Sequence, residues 1–524
     1  MKTLSTVLGQ TGHLEYVYSF KHKSGWWLLG VAVAFAFSAM PMFTQAQTLV
    51  SGNISGTWSP SGNPYIVTSD ATVPSGQTLT IQPGVIVWIG LGVSITANGV
   101  IQAVGNPTTR ITFQSPATSQ FWNRITVNGT ADVNRFKYCD FQNADYALVF
   151  NYNAINEVMY SSFLNVTNGI SMSVGAGNYV QTTKIMNCVF SNCVAQAVYG
   201  QAYGAAGHVA YGDGWSQTGT LIPVIKNCYF NAVGGGVRFL IYGGYYHGST
   251  VGNGYYYGYG YSYPQIMGNL FCNVTNAAIS MEVGSYPGGS PAALINNTLF
   301  NCGVGLSAAD PWDAKVQSCI FVGCTNAVQD AGVLSRAVSY NCFYQNTANF
   351  TGYNANYGNF IIPNRNGTLS DILYNFSQNP LFVATNDFHL ATNSPCIDAG
   401  TPDWAYSDMC FTNLLSQGTS YPDLGAYGGP DAVNWLDTVP KLCVEAFMTR
   451  TNGSTWLNWG ALPRSSYQVQ YLTNLDIVGT NAWTNFGGGL VLATDKPTSL
   501  QVATGTATNK MFFRVQSLGR AVGN

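Results

Sequence analysis

The chain reads NCVFSNCVAQAV at 187–198 and NCYFNAVGGGV at 227–237, and these two stretches share one pattern. In each, Asn stands three residues before a Phe, a polar residue follows that Phe, and small or β-branched residues close the segment. The chain therefore contains an internal repeat, roughly N-x-x-F-x-N-x-x-x-A-V. Its other copies are CDFQNADYAL (139–148), SSFLNVTNGI (161–170), NLFCNVTNAAI (269–279), NTLFNCGVGL (297–306), SCIFVGCTNAV (318–328) and NCFYQNTANF (341–350).

The repeat is anchored on phenylalanines that are 22, 27, 40, 41, 29, 21 and 22 residues apart. These anchors are Phe141, Phe163, Phe190, Phe230, Phe271, Phe300, Phe321 and Phe343. A base period near 22, with short β-prone runs between Asn and Gly, indicates a solenoid of parallel strands. Leucine-rich horseshoes have similar periods, but the regular Leu positions that they need do not occur. We therefore predict an all-β chain built as a β-helix, with Phe stacked on Phe inside and Asn on Asn at a turn.

Charge is scarce in this chain. Asp, Glu, Lys and Arg make up 8% of its 524 residues, against about a quarter in typical soluble proteins. The formal net charge is −2, so no basic surface is available for nucleic acid or for anionic lipid. The composition predicts neither of these as a partner.

The N-terminus has the features of an export signal. Two lysines, Lys21 and Lys23, precede an apolar run (26–40), and Ala46 ends a small-residue cleavage site. We expect residues 1–46 to be a signal peptide, which leaves no membrane span and places the protein outside the cell or on its surface. The leader before the apolar run is longer than usual, and the alternatives are an uncleaved anchor or a misassigned start.

The ladder of Val, Ile and Thr strands with Gly turns at 71–113 resembles the opening coils of secreted bacterial right-handed parallel β-helix proteins, the pectate-lyase-like superfamily. The segments 387–401 and 422–429 look like the closing segment of such proteins. The resemblance implies a right-handed β-helix over residues 47–375 and a closing segment at 376–437. It implies no single activity, because that superfamily holds lyases, hydrolases, epimerases, adhesins and proteins of no known activity.

A change of pattern marks the C-terminal part, residues 438–524. Short alternating strands such as STWLNWG (454–460) and SYQVQYLTN (466–474) follow at the spacing of a β-sandwich. This part resembles a fibronectin-III-like module of the kind appended to exported bacterial proteins. The resemblance implies either a spacer or cap, or a role in glycan binding or surface attachment.

Four coils have anchor phenylalanines more than 22 residues apart, and all four carry their extra residues at one position of the repeat. These insertions are 173–183, 199–223, 242–264 and 283–291. All four insertions follow the same strand of the coil, so we expect them to emerge along one edge of the solenoid. The third insertion is the most unusual, since nine of the 22 residues from Tyr242 to Tyr263 are Tyr and seven are Gly.

Aromatic loops without charge suit the faces of sugar rings and of other neutral polymers. We therefore predict a non-catalytic extracellular or cell-surface protein that binds carbohydrate or another surface polymer through these loops. Two alternatives are that the rings lie on the solenoid wall and only order the loops, or that the segment is flexible and self-associating. The predicted binding residues are Tyr203, Tyr211, Trp215, Tyr245, Tyr246, Tyr255, Tyr256, Tyr257 and Tyr286.

The alternative function is a polysaccharide-active enzyme, a lyase rather than a hydrolase. The N-T-D, D-D and R-I-K motifs of polygalacturonases do not occur in the chain, which excludes that hydrolase family. A charged cluster remains, in which Arg238 would be a base or anion clamp, Glu282 an acid or metal ligand, and Asp310 and Asp313 further ligands. A lyase would use calcium here; otherwise we predict no metal or cofactor. An ordinary ion pair between coils is the alternative for Arg238 and Glu282.

Six of the twelve cysteines recur at two fixed positions of the repeat. Stacked buried thiols explain this recurrence, since in-register parallel strands aim their Cβ atoms alike and disfavour disulfides. No C-x-x-C pair indicates a zinc site. In the closing segment we predict one disulfide, between Cys396 and Cys410. The repeated positions are two residues before the anchor Phe (Cys139, Cys188, Cys228, Cys319) and three residues after it (Cys193, Cys324).

Overall fold

The computed structural model describes residues 47–117, 120–129, 132–208, 214–247, 255–284, 291–308, 314–330, 338–351, 358–384, 386–408 and 416–432. For two short strands near the N-terminus and six strands between 446 and 520 it describes the backbone alone. Within the first 44 residues the described backbone is one antiparallel pair, Val7–Leu8 with Leu14–Glu15, and the rest of the predicted signal peptide lies outside the described residues.

Across these ranges the chain is all-β, with two 3-10 turns, Pro60–Gly62 and Trp404–Tyr406. None of the described residues forms a helix with the length and apolar character that crossing a membrane requires.

From residue 47 to residue 351 the described strands form a parallel β-helix with three strands per coil, which confirms the predicted fold class. We number the three rows of strands in chain order. The first row is a 12-stranded parallel sheet, and the second and third rows are joined in a 22-stranded parallel sheet because its first two strands run through both rows.

The first row consists of Gly56–Trp58, Thr78–Ile81, Val100–Val104, Val133–Lys137, Ile155–Met159, Tyr179–Met186, Gly219–Lys226, Gly260–Ser262, Gln265–Met267, Ala292–Ile295, Ala314–Gln317 and Val338–Ser339. The second row consists of Thr48–Asn53, Tyr65–Val73, Ile86–Ile89, Ile111–Gln114, Cys139–Gln142, Ser162–Leu164, Val189–Ser191, Tyr229–Asn231, Leu270–Cys272, Thr298–Phe300, Ile320–Val322 and Cys342–Tyr344. The third row continues from the first two of these with Ser94–Ala97, Trp122–Val127, Ala144–Asn151, Asn168–Val174, Gln196–Tyr203, Gly235–Tyr242, Ala277–Val283, Val304–Ala308, Asn326–Asp330 and Ala348–Thr351.

A column of stacked phenylalanines fills the core behind the second row. Consecutive rings are nearly parallel, with centroids 4.5–5.0 Å apart, and all of them are buried. Such aromatic pairs add about 0.5–1.5 kcal/mol each beyond their buried area. The prediction that Phe stacks on Phe inside is therefore confirmed. The column contains Phe113, Phe141, Phe163, Phe190, Phe230 and Phe271, and resumes with Phe321 and Phe343.

The prediction that Phe300 belongs to this column is wrong. Leu299 takes its place in the register, between the phenylalanines of the coils on either side. Phe300 lies on the outer side of the row and packs edge-on against Phe388, with ring centroids 5.0 Å apart. A doubled asparagine permits this shift, and the left-handed corner falls on Asn296, one residue earlier than the repeat pattern suggests.

From Tyr138 onward, each coil turns its first two corners through a single residue with left-handed backbone, with φ between 51° and 67°. Asparagine is common there because it tolerates this conformation better than most residues. Its amide also bonds along the axis: Asn301 Nδ2 donates to Asn273 Oδ1 at 2.7 Å, and Asn192 Nδ2 donates to Asn165 Oδ1 at 3.2 Å. The predicted stacking of Asn on Asn at a turn is confirmed at this second corner.

The cysteines that stand two residues before an anchor Phe form part of a buried inward-facing column. All ten cysteines that the structure describes are free thiols and buried. Cys228 and Cys319 alternate with asparagines in this column, and their backbone N–H groups donate to Asn269 Oδ1 and Asn341 Oδ1, each at 2.9 Å. These side-chain amides satisfy backbone groups that the corner would otherwise leave unpaired.

The closing segment covers the outer face of the second row in the last coils. Its buried residues join those of the row in two apolar clusters, which also explains why Phe300 faces outward. Ion pairs hold the segment at its margins, from Lys226 to Asp431 at 2.7 Å and from Lys315 to Asp403 at 3.2 Å. Small antiparallel pairs complete it: Ile362–Pro363 with Leu369–Ser370, and Phe382–Ala384 with Asp387–Leu390.

Cys396 lies in one of these clusters as a buried free thiol beside Cys342. Cys410, its predicted disulfide partner, lies outside the described residues.

The C-terminal strands form two three-stranded antiparallel sheets, which is the sheet content of a small β-sandwich. One sheet contains Ala446–Thr451, Ser454–Trp459 and Thr498–Thr504, and the other contains Ser465–Leu472, Thr484–Leu492 and Phe512–Arg520.

Candidate functional site

Two β-hairpins stand where consecutive coils pass from the third row back to the first. One pairs Ala205–His208 with Gly214–Gln217, and the next pairs Gly244–His247 with Tyr255–Gly258. The second hairpin continues into Gly260–Ser262, which pairs with the first row. Both connections are shorter than the predicted insertions, because the strands on either side run on into them.

Glycines let the two hairpins approach each other at backbone distance. A Cβ atom added at Gly258 would lie 2.0 Å from the carbonyl oxygen of Ala205, and one at Gly244 would lie 2.8 Å from the Ala205 Cα atom. No side chain fits into so close a contact. Gly244 and Gly258 therefore lie on the inner face of the second hairpin, against the preceding hairpin.

Tyrosines occupy the opposite, outer face of the same strand. Successive residues of a strand point to opposite sides, and the chain alternates between buried Gly258, Gly260 and Ser262 and tyrosines that stay at least partly exposed. Together with the cross-strand Tyr245 these rings form a continuous series, which we name the tyrosine stripe. Its members are Tyr245, Tyr255, Tyr257, Tyr259, Tyr261 and Tyr263.

The rings of the tyrosine stripe follow one another at regular intervals. The centroids of Tyr257 and Tyr259 are 6.1 Å apart and their planes differ by 8°; Tyr261 and Tyr263 are 6.3 Å apart, with a 10° difference. Between these pairs the planes of Tyr259 and Tyr261 differ by 52°. The surface is open to solvent, since Tyr255 is 59% exposed and Tyr257 38%. It offers ring faces, ring edges and phenolic hydroxyls without any formal charge.

The outer face of the third row carries a second group, which we name the third-row patch. Arg238 donates from Nε to Glu282 Oε1 at 2.8 Å and from its terminal nitrogen to Oε2 at 2.6 Å, a two-bond ion pair across neighbouring coils. Ser280 Oγ adds a bond to Oε1 at 2.8 Å, and the guanidinium lies over the Tyr199 ring, 5.5 Å from its centroid. The patch consists of Tyr199, Tyr203, Arg238, Tyr242, Ser280 and Glu282.

The ion pair holds both of its groups in the charged state. Partial burial opposes ionisation of Glu282, but hydrogen bonds from Arg238 and Ser280 and the charge of Arg238 bring the pKa of this carboxyl below its usual value. The same hydrogen bonds raise the pKa of the Arg238 guanidinium. Partial burial raises the pKa of the neighbouring Tyr199 to about 12.

Among the predicted binding residues, Tyr245, Tyr255 and Tyr257 lie in the tyrosine stripe. Tyr246 and Tyr256 pair with each other on the hairpin's other face. Tyr203 belongs to the third-row patch, where it stacks on Tyr242 with centroids 5.1 Å apart, and Trp215 contacts the opposite strand of the first hairpin at Gly207. Tyr211 and Tyr286, like Asp310 and Asp313 of the predicted charged cluster, lie outside the described residues.

Sequence reasoning missed Tyr259, Tyr261 and Tyr263 as members of the stripe. The signal was present, since Tyr recurs at every second residue from 255 to 263, the period of one face of a strand. Tyr242 was missed as well, and no local pattern marks it.

We expect Gly258→Ala to loosen the second hairpin although every tyrosine is kept. Its new Cβ would meet the Ala205 carbonyl oxygen at 2.0 Å, and forced overpacking costs about 1–3 kcal/mol. Hydrogen–deuterium exchange in Gly244–His247 should become roughly tenfold faster. Gly175→Ala is the matched control, because that loop glycine has open space around its Cβ position. Unchanged exchange in Gly258→Ala would contradict the packing described above.

Metal binding has no side-chain basis in the described part of the chain, where no three or more His, Cys, Asp or Glu side chains are grouped to hold an ion. The arrangement at the loop edge therefore offers aromatic surface and one neutralised ion pair. No protein-family model matches this chain, and neither does any of the curated proteins compared with it.

Proposed function

We propose that this chain is an exported, non-catalytic protein that binds a neutral polysaccharide through the tyrosine stripe. The observation that carries the proposal is the continuous series of exposed, uncharged rings on the outer face of the second hairpin.

The chemistry of the stripe fits sugars. Pyranose rings present C–H groups that pack on aromatic rings, and hydroxyl groups that exchange hydrogen bonds with phenols. Tyrosine also loses little conformational entropy on binding because it has only two side-chain torsions. Packing of the hairpin on its neighbour through Gly258 supports the same proposal, since a surface ordered beforehand costs less to organise on binding.

The length of the stripe favours a polymer over a single sugar. From Tyr257 to Tyr263 the chain advances six residues, which is about 20 Å in extended conformation. Contacts of this length span several sugar units, and each unit adds its own small free energy of binding. We therefore infer an extended polysaccharide segment lying along the strand.

Charge supports neutral sugars and a role without catalysis. No residue from Tyr242 to Tyr263 carries a formal charge when His247 is neutral. A base must be unprotonated and an acid protonated before reaction, whereas the pKa of Arg238 is raised and that of Glu282 lowered. Both shifts disfavour the lyase alternative for this pair.

The remaining features extend the proposal to the whole chain. We propose secretion or cell-surface location on the basis of the predicted signal peptide, and kinship with bacterial pectate-lyase-like β-helices on the basis of the repeat. The C-terminal strands, with two three-stranded antiparallel sheets, fit a fibronectin-III-like module that separates the binding surface from its attachment point.

The test is retention of the mature chain, from Gln47, on insoluble cellulose, xylan, mannan and chitin. We expect Tyr257→Ala/Tyr259→Ala/Tyr261→Ala to lower the affinity for the retained polymer roughly 100-fold, at about 1 kcal/mol per ring. Tyr152→Ala/Tyr179→Ala is the matched control, because these rings are also exposed and lie 6.0 Å apart, outside both hairpins.

Equal loss in this control would contradict the proposal, and so would undiminished binding by the triple variant. Release of new chain ends by the unmodified protein would make it an enzyme.

A further inference from the structure

We propose that Glu282 sets the charge specificity of the binding surface, because it neutralises Arg238 and so prevents acidic polysaccharides from binding at the third-row patch. The inference rests on the proposed function for the class of polymer. It goes further by naming the residue that decides between neutral and acidic members of that class.

The ion pair is accessible to a polymer. The side chains of Arg238 and Glu282 are 41% and 37% exposed, so their contact is at the surface. Glu282 nevertheless occupies the Nε edge of the guanidinium with two hydrogen bonds. That edge is also the one that a uronate carboxylate would bind in the same two-bond geometry. A polyuronate that binds at this edge must therefore displace a carboxylate that is already in place.

Neighbouring groups hold both partners in position. Tyr199 lies under the guanidinium, and the Ser280 hydroxyl donates to Glu282 Oε1 at 2.8 Å. The backbone register places Arg238 opposite Ser280 and Leu240 opposite Glu282, so the pair runs diagonally across two adjacent strands. Without Glu282, Arg238 would remain on the Tyr199 ring as an exposed, unpaired cation.

The pair is electrically isolated along its face. In the five third-row strands from Asn168–Val174 to Val304–Ala308, the charged residues are Arg238 and Glu282. The local charge is therefore zero as long as both are present. Removal of one partner changes the local charge by a full unit, and no other charged residue in these five strands offsets it.

The patch and the tyrosine stripe adjoin in the chain. The third-row strand Gly235–Tyr242 carries Arg238 and is followed, after Gly243, by the second hairpin. Tyr242 ends that strand, stacked on Tyr203. A polymer that extends from the stripe along the strand Gly235–Tyr242 would thus reach a guanidinium whose charge is cancelled.

The experiment measures binding of polygalacturonate and of the retained neutral polymer to Glu282→Gln at low and high salt. We expect polygalacturonate affinity to rise roughly five- to tenfold at low salt, since a charge-assisted pair becomes available, and the gain to disappear at high salt. Binding of the neutral polymer should change less than twofold.

Asp140→Asn is the matched control. Arg110 holds Asp140 with Nε–O distances of 2.9 Å to both carboxylate oxygens, and its guanidinium lies over the Tyr138 ring, 5.9 Å from the centroid. The substitution frees an arginine in the same chemical setting but away from the hairpins. We expect less than a twofold gain in polygalacturonate binding.

A mirror variant keeps the test decisive if Glu282→Gln fails to fold. Arg238→Gln leaves Glu282 without its ion-pair partner and should bind the cationic polymer chitosan more tightly. The double variant Arg238→Gln/Glu282→Gln should show no gain in affinity for polygalacturonate or for chitosan. No gain in the two single variants, or an equal gain in Asp140→Asn, would overturn the inference. Failure of the unmodified protein to bind neutral polymers would overturn the proposed function alone, because the gain in Glu282→Gln is measured separately.

Discussion

Phe230→Ala should lower the free energy of unfolding by about 4 kcal/mol, in the range found for buried Phe→Ala changes. The ring lies between Phe190 and Phe271, with centroid distances of 4.9 and 4.5 Å, and is fully buried. Its removal leaves a cavity in a column of rigid neighbours and also breaks two aromatic contacts. Urea unfolding followed by fluorescence measures the loss.

Phe300→Ala is the control that separates the structure from the sequence pattern. The pattern places Phe300 in the same column, whereas the structure places it on the outer side of the second row against Phe388. Since its ring is only half-buried, we expect a loss of about 2 kcal/mol or less. A loss at Phe300 equal to that at Phe230 would favour the register that the sequence suggests.

Stability should fall as pH rises from 5 to 8, and Asp423 alone should account for on the order of 4 kcal/mol of the loss. Burial raises the pKa of Asp423 to about 8 and the pKa of Asp408 well above its ordinary value, with the charge of Asp423 adding to burial at Asp408. An unfolded aspartate has a pKa near about 3.9. At a pH between the unfolded and the folded pKa, the folded protein retains a proton that the unfolded chain releases. Each such proton therefore lowers the free energy of unfolding by about 1.4 kcal/mol for every unit by which the pH rises.

The groups with lowered pKa values act outside this window. Folding lowers the pKa values of Glu282 and Asp387, so their contribution is lost only as the pH falls through the acid range below 5.

Urea midpoints at pH 5, 6, 7 and 8 measure the slope of stability against pH. Asp423→Asn should reduce the slope of stability against pH, because the amide does not titrate. The substitution also removes one of the hydrogen bonds from the backbone N–H groups of Asp398 and Gln417, since the amide NH₂ group cannot accept it. A midpoint that rises with pH in the unmodified chain would refute this assignment.

Much of the scaffold follows from local pattern. A residue type repeated once per coil occupies the same place in every coil, so the spacing of Phe190 and Phe230 predicts their stacking before any coordinates exist. The left-handed corners follow similarly, because Asn192 and Asn301 are residue types that tolerate that conformation. Pattern fails where two residues satisfy it equally well. Either Asn296 or Asn297 could form the corner. Packing of Phe300 on the closing segment is consistent with the register in which Asn296 forms it.

The candidate site was less predictable. The Tyr/Gly composition marks a loop and suggests sugar contacts, but it does not tell which rings face solvent. The exposed rings depend on the close approach of Gly258 to Ala205 in the preceding hairpin, and these two residues are 53 positions apart in the chain. The same holds for Arg238 and Glu282, whose pairing depends on the register of adjacent coils.

The sequence by itself determined the repeat and the all-β solenoid, because both depend on residues that recur at short, regular spacing. The tertiary structure alone decided that Leu299 and not Phe300 faces the core, that alternate tyrosines form one exposed stripe, and that Glu282 neutralises Arg238. The physical reason is the same in all three cases. Coil-to-coil register and backbone contact between hairpins act between residues distant in the chain, and local pattern does not specify which of them meet.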